Sequence, residues 1–460
     1  MKLILPTPDI PDEAPFKYCL FERKPFGDAL INLIQNSEDE LIISLDAKWG
    51  EGKTTFIKMW QGLLNCEQNK IPNIYINAFE NDFNDDPFIP IAGAIIDYAK
   101  NANLNHTGIL DKAKGIGTLL SSLAANYTIQ KISFNTIDDL DDMKEKITEV
   151  LSDTAINVLE ERLTSYSGEK ELIKSFKEIL TKISEGNNSK GDNEENKKPL
   201  IIIIDELDRC KPSYAVALIE KVKHIFSTKN VFFILVMHKE QLIEALKCVY
   251  GQGLDASTYL QKFIHIETTL PKKQAESNIS YSDITKYCDH LYKSHALNKY
   301  QGLNQPRGLD DIKNIANHLG LSLRQMEKIF ILLTLYFGSF PNNENGFQRQ
   351  TTPSSLIVLL TVIKITEPIL YSGLANKTTT YDAIYEEYRF SEMEKNNSTF
   401  YIQKIIYYAL LSDSEFSGLV ADDINSNKTG IHQWAERLGS NRKNIIPSII
   451  SKINTFTPSV

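Results

Sequence analysis

The chain has 460 residues, a mass of 52.2 kDa, a formal net charge of −9 and an isoelectric point near 5.5. Hydrophobic residues make up 42% and charged residues 24%, ordinary globular usage that excludes wholesale disorder and a fibrous protein. The acidic balance excludes a globally basic nucleic-acid coat and leaves only a local basic groove open.

Residues 1–15 carry Pro and acids after a short apolar patch and lack the apolar core of a signal peptide. A helix is predicted over 25–35, where Phe26, Leu30, Leu33 and Ile34 recur at helical spacing. The run Leu41-Ile42-Ile43-Ser44-Leu45 reads as a buried strand. It leads through 46–55 into a helix with Phe56, Ile57, Trp60, Leu63 and Leu64 on one face. Residues 73–77 form a second short strand, and 88–184 carry a helical pattern. The uncharged run 115–130 has 16 residues, several of them polar. A membrane span needs about 20 predominantly apolar residues, so this run is expected to be a buried or interfacial helix and no transmembrane segment is expected. Residues 184–198, SEGNNSKGDNEENKK, are too polar to offset their ordering entropy and predict a flexible loop.

The most apolar strand follows, Leu200 to Ile204, ending in Asp205-Glu206. Helices are predicted over 214–226 and 239–250, and strands over 230–237 and 263–270. The pattern is then helical to the end, broken by a predicted linker at 338–353. Continuous apolar strands alternating with helices predict an α/β fold whose parallel sheet is covered on both faces. The five cysteines, at 19, 66, 210, 248 and 288, form no C-x-x-C pair. That speaks against a zinc ribbon or disulfide framework and suits a reducing cytosol.

The strand–loop–helix at 41–64 fits a phosphate-binding loop of the form [A/G]-x-x-x-x-G-K-[S/T], here Ala47, Lys48, Trp49, Gly50, Glu51, Gly52, Lys53 and Thr54, with Thr55 next. Gly50 and Gly52 permit backbone conformations that turn successive N–H groups toward phosphate oxygens. The helix N-terminus adds its dipole. Lys53 is assigned to the β- and γ-phosphates and the Thr54 hydroxyl to Mg²⁺. An acid at the tip of a buried strand holds the same metal, so Asp205 is the second metal ligand, and Glu206 is placed to polarise an attacking water. Arg209 is a candidate to stabilise charge on the transferred phosphoryl group, in cis or across a subunit interface. Its alternative is an ion pair with Asp208 or a neighbouring acid.

These motifs, with INAFENDFNDDPF at 76–88, YLQKFIHIETTLP at 259–271 and LSLRQMEKI at 321–329, resemble the KAP family of P-loop NTPases over Phe21 to Tyr336. The resemblance implies an additional-strand P-loop fold, a large insertion between the two nucleotide motifs, and a helical segment after the sheet. In many members the insertion carries transmembrane helices; this one is expected to be cytoplasmic. Similar members occur in bacteria, several in phage-exclusion or mobile-element settings, and others are membrane-associated scaffolds in animals. Three positions depart from the pattern: Ala47 for Gly, Phe79 for Trp, and His238 for Asp. His238 stands where a polar residue would sense the γ-phosphate or position water, the alternative being a surface histidine. The arginine corresponding to Arg324 reaches toward the γ-phosphate in related ATPases; the alternative is an ion pair with Glu327. Arg23 is expected near the base or ribose.

The expected organisation is a KAP-type domain at 15–338, with an insertion at 88–198, a sheet core to about 271 and a helical lid at 272–338. A C-terminal helical region follows at 339–460. The expected activity is ATP hydrolysis with Mg²⁺ as a nucleotide-driven switch or motor, in bacterial defence by resemblance. The rivals are a nucleic-acid translocase and a non-hydrolysing nucleotide-gated scaffold. The expected partners are ATP and a second copy of the chain or a protein from the same locus.

Overall fold

The computed structural model describes residues 2–101 and 198–456 apart from 7–8, 38, 85, 226–227, 274–281, 301–302, 304–305, 340–352, 394–399 and 419–430; between 102 and 197 it describes 174, 177–178, 180–181 and 183–184. The predicted flexible loop, the uncharged run 115–130, most of the predicted insertion and most of the predicted linker therefore lie outside the described residues. Among the described residues, no helix is long and apolar enough to cross a membrane.

Among the described residues five strands form one sheet: β1 Ile42–Asp46, β2 Asn73–Asn77, β3 Leu200–Asp205, β4 Val231–Met237 and β5 Ile266–Thr269. Their order is β2-β3-β4-β1-β5 and every pairing is parallel. β4 separates β1 from β3, so an additional strand stands between the strand that feeds the glycine loop and the strand that ends in Asp205. The register aligns Asp46 with Met237 and Asn77 with Asp205. The carboxyl ends of the central strands therefore meet on one edge, where open α/β sheets bind their ligands.

Both faces of the sheet are covered, and this explains why β3 and β4 are apolar throughout rather than alternating. Ile201, Ile203, Phe232, Ile234 and Val236 pack with α1 (Lys24–Gln35) and α2 (Lys53–Asn65). Ile202, Ile204, Phe233 and Leu235 pack on the other face with α3 (Phe88–Asn101) and α4 (Pro212–Ile225). Trp60 is fully buried, and its indole N–H donates to the Gly27 carbonyl at 3.0 Å, tying α2 to α1. β5 is shorter than the apolar run 263–270 suggests, because Phe263 and Ile264 are buried in the chain that enters the strand.

Helices α5 (Lys239–Tyr250) and α6 (Ala256–Leu260) precede β5. After it come α7 (Asp283–Ser294), α8 (Pro306–Leu319), α9 (Leu323–Ser339) and α10 (Ser354–Thr366), with further short helices to Ile453. One apolar core joins residues on both sides of position 338, from Cys288 through Phe330, Leu359 and Ile406 to Ile453. α10 shows why: Leu356 to Ile363 are buried all round, the mark of a helix inside a core rather than on its surface.

Replacing Trp60 by Ala removes a fully buried indole and its hydrogen bond. The expected loss is roughly 3–5 kcal/mol of folding stability, read as a lowered denaturant midpoint; a midpoint unchanged from the native protein would show that α1 and α2 are not joined by this side chain.

Candidate functional site

The loop between β1 and α2 has the geometry that its sequence demands. Gly50 and Gly52 adopt φ of +78° and +82°, a region costly for residues with a Cβ. A Cβ on Gly50 would also lie 2.7 Å from the Arg324 Cβ, so the loop is closely covered by the start of α9. Ala47 is buried outside the left-handed region, and its N–H donates to the Met237 carbonyl at 3.2 Å. Alanine therefore fits where other loops have glycine. Gly52 caps α2, whose first residues Lys53, Thr54 and Thr55 turn their backbone N–H groups toward the loop. The Lys53 ammonium donates to the Ala47 carbonyl at 2.5 Å and to the Lys48 carbonyl at 3.4 Å. Burial pushes this ammonium below its ordinary range, while Asp208, Asp205 and Asp46 favour its charge.

Asp205 ends β3 with no exposed surface. The Glu206 backbone N–H donates to its Oδ1 at 2.8 Å, the Tyr75 hydroxyl donates to Oδ2 at 3.0 Å, and the Thr54 hydroxyl also bonds to it. Burial raises the carboxyl above the usual range; these bonds and the Lys53 charge oppose that rise. Lys53, Thr54 and Asp205, separated by some 150 positions in the chain, thus converge at the ends of β1 and β3.

Glu206 adopts φ of +61°, a strained left-handed conformation of the kind found at functional sites. Its side chain is 14% exposed and pairs with Arg209, Nη1 to Oε1 at 2.7 Å. Arg209 therefore meets Glu206 rather than Asp208. Asp208 instead accepts a hydrogen bond from the Trp49 indole, which holds the glycine loop against the turn after β3. The Trp49 ring stands edge-on to His238, centroids 5.6 Å apart. His238 follows β4 and is buried, not a surface histidine. Glu240 lies 3.4 Å from its Nε2, and neither ring nitrogen makes a hydrogen bond.

Arg23 is buried. Its Nε donates to the Pro271 carbonyl and its Nη1 to the Glu51 carbonyl, both at 3.2 Å, and its guanidinium lies 4.7 Å from the Phe21 ring centre. It ties the glycine loop to the exit of β5. Glu51, buried beside it, pairs with Lys272. Arg324 is exposed at the first turn of α9, with its backbone against Gly50. Glu327, the neighbour expected to pair with it, accepts from the Tyr287 hydroxyl.

Residues 23–336, more than half of the chain, match the family model for the KAP family P-loop domain. The chain belongs to the KAP family of P-loop NTPases. No curated protein matches it. Among solved structures, the ORC2 protein of Aeropyrum pernix in its ADPNP–ADP form is 12% identical, with a TM-score of 0.36 over 94% of this chain and 95% of that one. Its ADP form gives 11% and 0.34, over 94% and 93%. A Walker-type ATPase of Pyrococcus abyssi gives 12% and 0.29, over 95% and 97%. Likenesses this weak carry no argument; the family match and the strand order carry the assignment.

The departures from the KAP pattern have structural sites. Phe79 opens a short turn after β2 and is 46% exposed, while the Asn77 side chain accepts from the N–H groups of Phe79 and Glu80. The KAP site also contains residues that sequence reading missed. Tyr75 carries no motif; its signal is position, two residues before the end of β2, beside β3 in register. The Trp49–Asp208 bond joins residues 159 positions apart and has no sequence signal.

Gly50→Ala is expected to destabilise the protein by about 1–3 kcal/mol, through the positive φ and the collision with Arg324. Chemical denaturation checks this, and the same substitution at Gly93, a helical glycine whose Cβ would meet nothing among the described residues, is the control expected to leave stability unchanged or raise it by up to about 1 kcal/mol.

Proposed function

We propose that this KAP-family chain binds ATP with Mg²⁺ and hydrolyses it, using the bond to the γ-phosphate to change the position of its helical region. The observation that carries the reading is the meeting of Lys53, Thr54 and Asp205 beside a strained Glu206 at the carboxyl edge of the sheet.

The metal assignment fits the donors present. Thr54 and Asp205 offer two adjoining oxygens, and no cluster of three metal-binding side chains occurs among the described residues. Mg²⁺ suits such a site because it keeps several waters and is held by one or two protein oxygens plus phosphates. When bound, it supplies positive charge to the phosphate oxygens.

In the proposed reaction the loop N–H groups and Lys53 hold the β- and γ-phosphates in place. Glu206 accepts a hydrogen bond from the attacking water and directs it in line at the γ-phosphorus. For this, Glu206 must leave the pair with Arg209, and Arg209 then stands beside the transferred group in cis. Tyr75 and the Glu206 N–H orient Asp205. His238, edge-on to Trp49 and with Glu240 beside its Nε2, is assigned to respond to the γ-phosphate. The start of α9 covers the loop at Gly50, so Arg324 is the point through which the helical region senses the nucleotide. Because one core spans 288–453, that region moves as one body. Bacterial defence is the biological setting proposed, on family resemblance alone.

Lys53→Ala is expected to abolish hydrolysis while the fold persists, measured by phosphate release and circular dichroism. Unchanged turnover in a clean preparation sinks the assignment. Glu206→Gln is expected to bind ATP and hydrolyse it roughly 10²–10⁴-fold more slowly. Loss of binding would make Glu206 structural or a metal ligand. Specific activity is expected to stay constant over a hundredfold dilution if Arg209 acts in cis; a fall on dilution identifies an arginine supplied by a second copy.

A further inference from the structure

An anion-binding loop depends on aim: its carbonyls must face out for its N–H groups to face in. The peptide between Glu51 and Gly52 is trans, so its carbonyl and its N–H point in opposite directions in one plane. Whatever holds the Glu51 carbonyl therefore aims the Gly52 N–H. The loop itself restrains this peptide weakly. Gly50 and Gly52 stand on either side of Glu51, at φ of +78° and +82°, and a glycine backbone turns over at little steric cost.

A side chain from outside the loop supplies the restraint. Arg23, 5% exposed, donates from Nη1 to the Glu51 carbonyl at 3.2 Å, a buried bond between residues 28 positions apart. The guanidinium is itself held from two further sides. Its Nε donates to the Pro271 carbonyl at 3.2 Å, and the Phe21 ring centre lies 4.7 Å from it. A Cβ on Gly52 would lie 3.4 Å from Nη1, so the guanidinium packs directly against this peptide. The Glu51 side chain is anchored as well, by its pair with Lys272. Arginine suits the position because its planar fork reaches two carbonyls at once and keeps its charge when buried.

Resting on the nucleotide reading above, we propose that Arg23 is a positioning residue for the phosphates. It holds the Glu51 carbonyl outward, so that the Gly52 N–H is aimed into the loop before any anion arrives. Arg23 thus acts on the phosphates through the loop rather than on the base or ribose directly. Without it, two carbonyls lose their donor and the 51–52 peptide is free to turn over.

The test separates the phosphates from the nucleoside. Equilibrium binding of ATP and of inorganic tripolyphosphate, which has no base or ribose, is measured with Mg²⁺. It is run on the full chain and on Arg23→Met, Arg23→Lys and Lys53→Ala, with thermal melts to establish folding. Arg23→Met is expected to weaken both ligands by the same factor, about tenfold, the effect of losing one hydrogen bond to a charged group. The loss is expected to persist from low to high salt, because screening does not restore a misdirected N–H, whereas the through-space effect of a missing charge fades. Arg23→Lys keeps one donor group and is expected to weaken both ligands equally but less; it decides the matter if the methionine variant does not fold. A loss confined to ATP overturns the inference, because Arg23 then contacts the nucleoside. A loss that vanishes at high salt overturns it too, as does unchanged binding of both ligands. Unchanged binding in the Arg23 variants with loss of both ligands in Lys53→Ala leaves the nucleotide reading standing. If the native protein binds neither ligand, both fall.

Discussion

The burial of one carboxylate organises the nucleotide end of this protein. Asp205 completes a strand of apolar residues packed on both faces, so its charge is held out of water. A buried charge is tolerated only where donors and opposite charge surround it. Thr54 comes from the start of α2, Tyr75 from the adjacent strand, the Glu206 N–H from the turn beyond, and the Lys53 charge from the glycine loop. Satisfying Asp205 therefore requires that β1, β2 and β3 and the loops that follow them be in place together. The same requirement brings the anion-binding loop and the acidic strand to one edge of the sheet.

Arrangement around the glycine loop extends this constraint to the helical region. The loop lacks side chains at Gly50 and Gly52, and the space is filled from outside: the Arg324 backbone approaches Gly50, and Leu323 with Arg23 approaches Gly52. Arg23 also bonds the Pro271 carbonyl beyond β5. Glu22, next to it, is exposed and is held at about 2, far below the usual carboxylate range, by Lys273 and Lys286. Lys286 lies on α7, so this exposed network links the segment before α1 to the first helix after β5. Loop, strand exit and the helices α7 and α9 are thus mutually in contact.

Glu206 carries backbone strain directly beside Asp205. Its left-handed backbone is enforced by the turn that lets its own N–H cap Asp205 while its side chain points to Arg209. A non-glycine residue in this region costs of order 1 kcal/mol. The buried sheet beneath supplies the rigidity that maintains it. The Trp49–Asp208 bond closes the same turn from the loop side.

Much of this was legible in the sequence, and the division has a physical basis. Buried parallel strands are short and continuously apolar, so Leu41–Leu45, Leu200–Ile204 and Val231–Met237 could be read directly, and the glycine loop announced itself by residue types required within a few positions. Those are local constraints: backbone conformation, strand burial and helix periodicity act over neighbours in the chain. What acts across the chain was set only by tertiary structure. The family resemblance already implied the additional strand β4 between the two nucleotide motifs, but only the register of β2 on β3 placed Tyr75 on Asp205. Helix packing turned Arg324 from a partner of Glu327 into a cover for Gly50, and the turn after β3 gave Arg209 to Glu206. Arg23 is one cation among many in the sequence. Its hold on the Glu51 carbonyl exists only because the segment before α1 meets the glycine loop, and no pattern along the chain encodes that meeting, since the residues concerned are brought together by packing rather than by spacing.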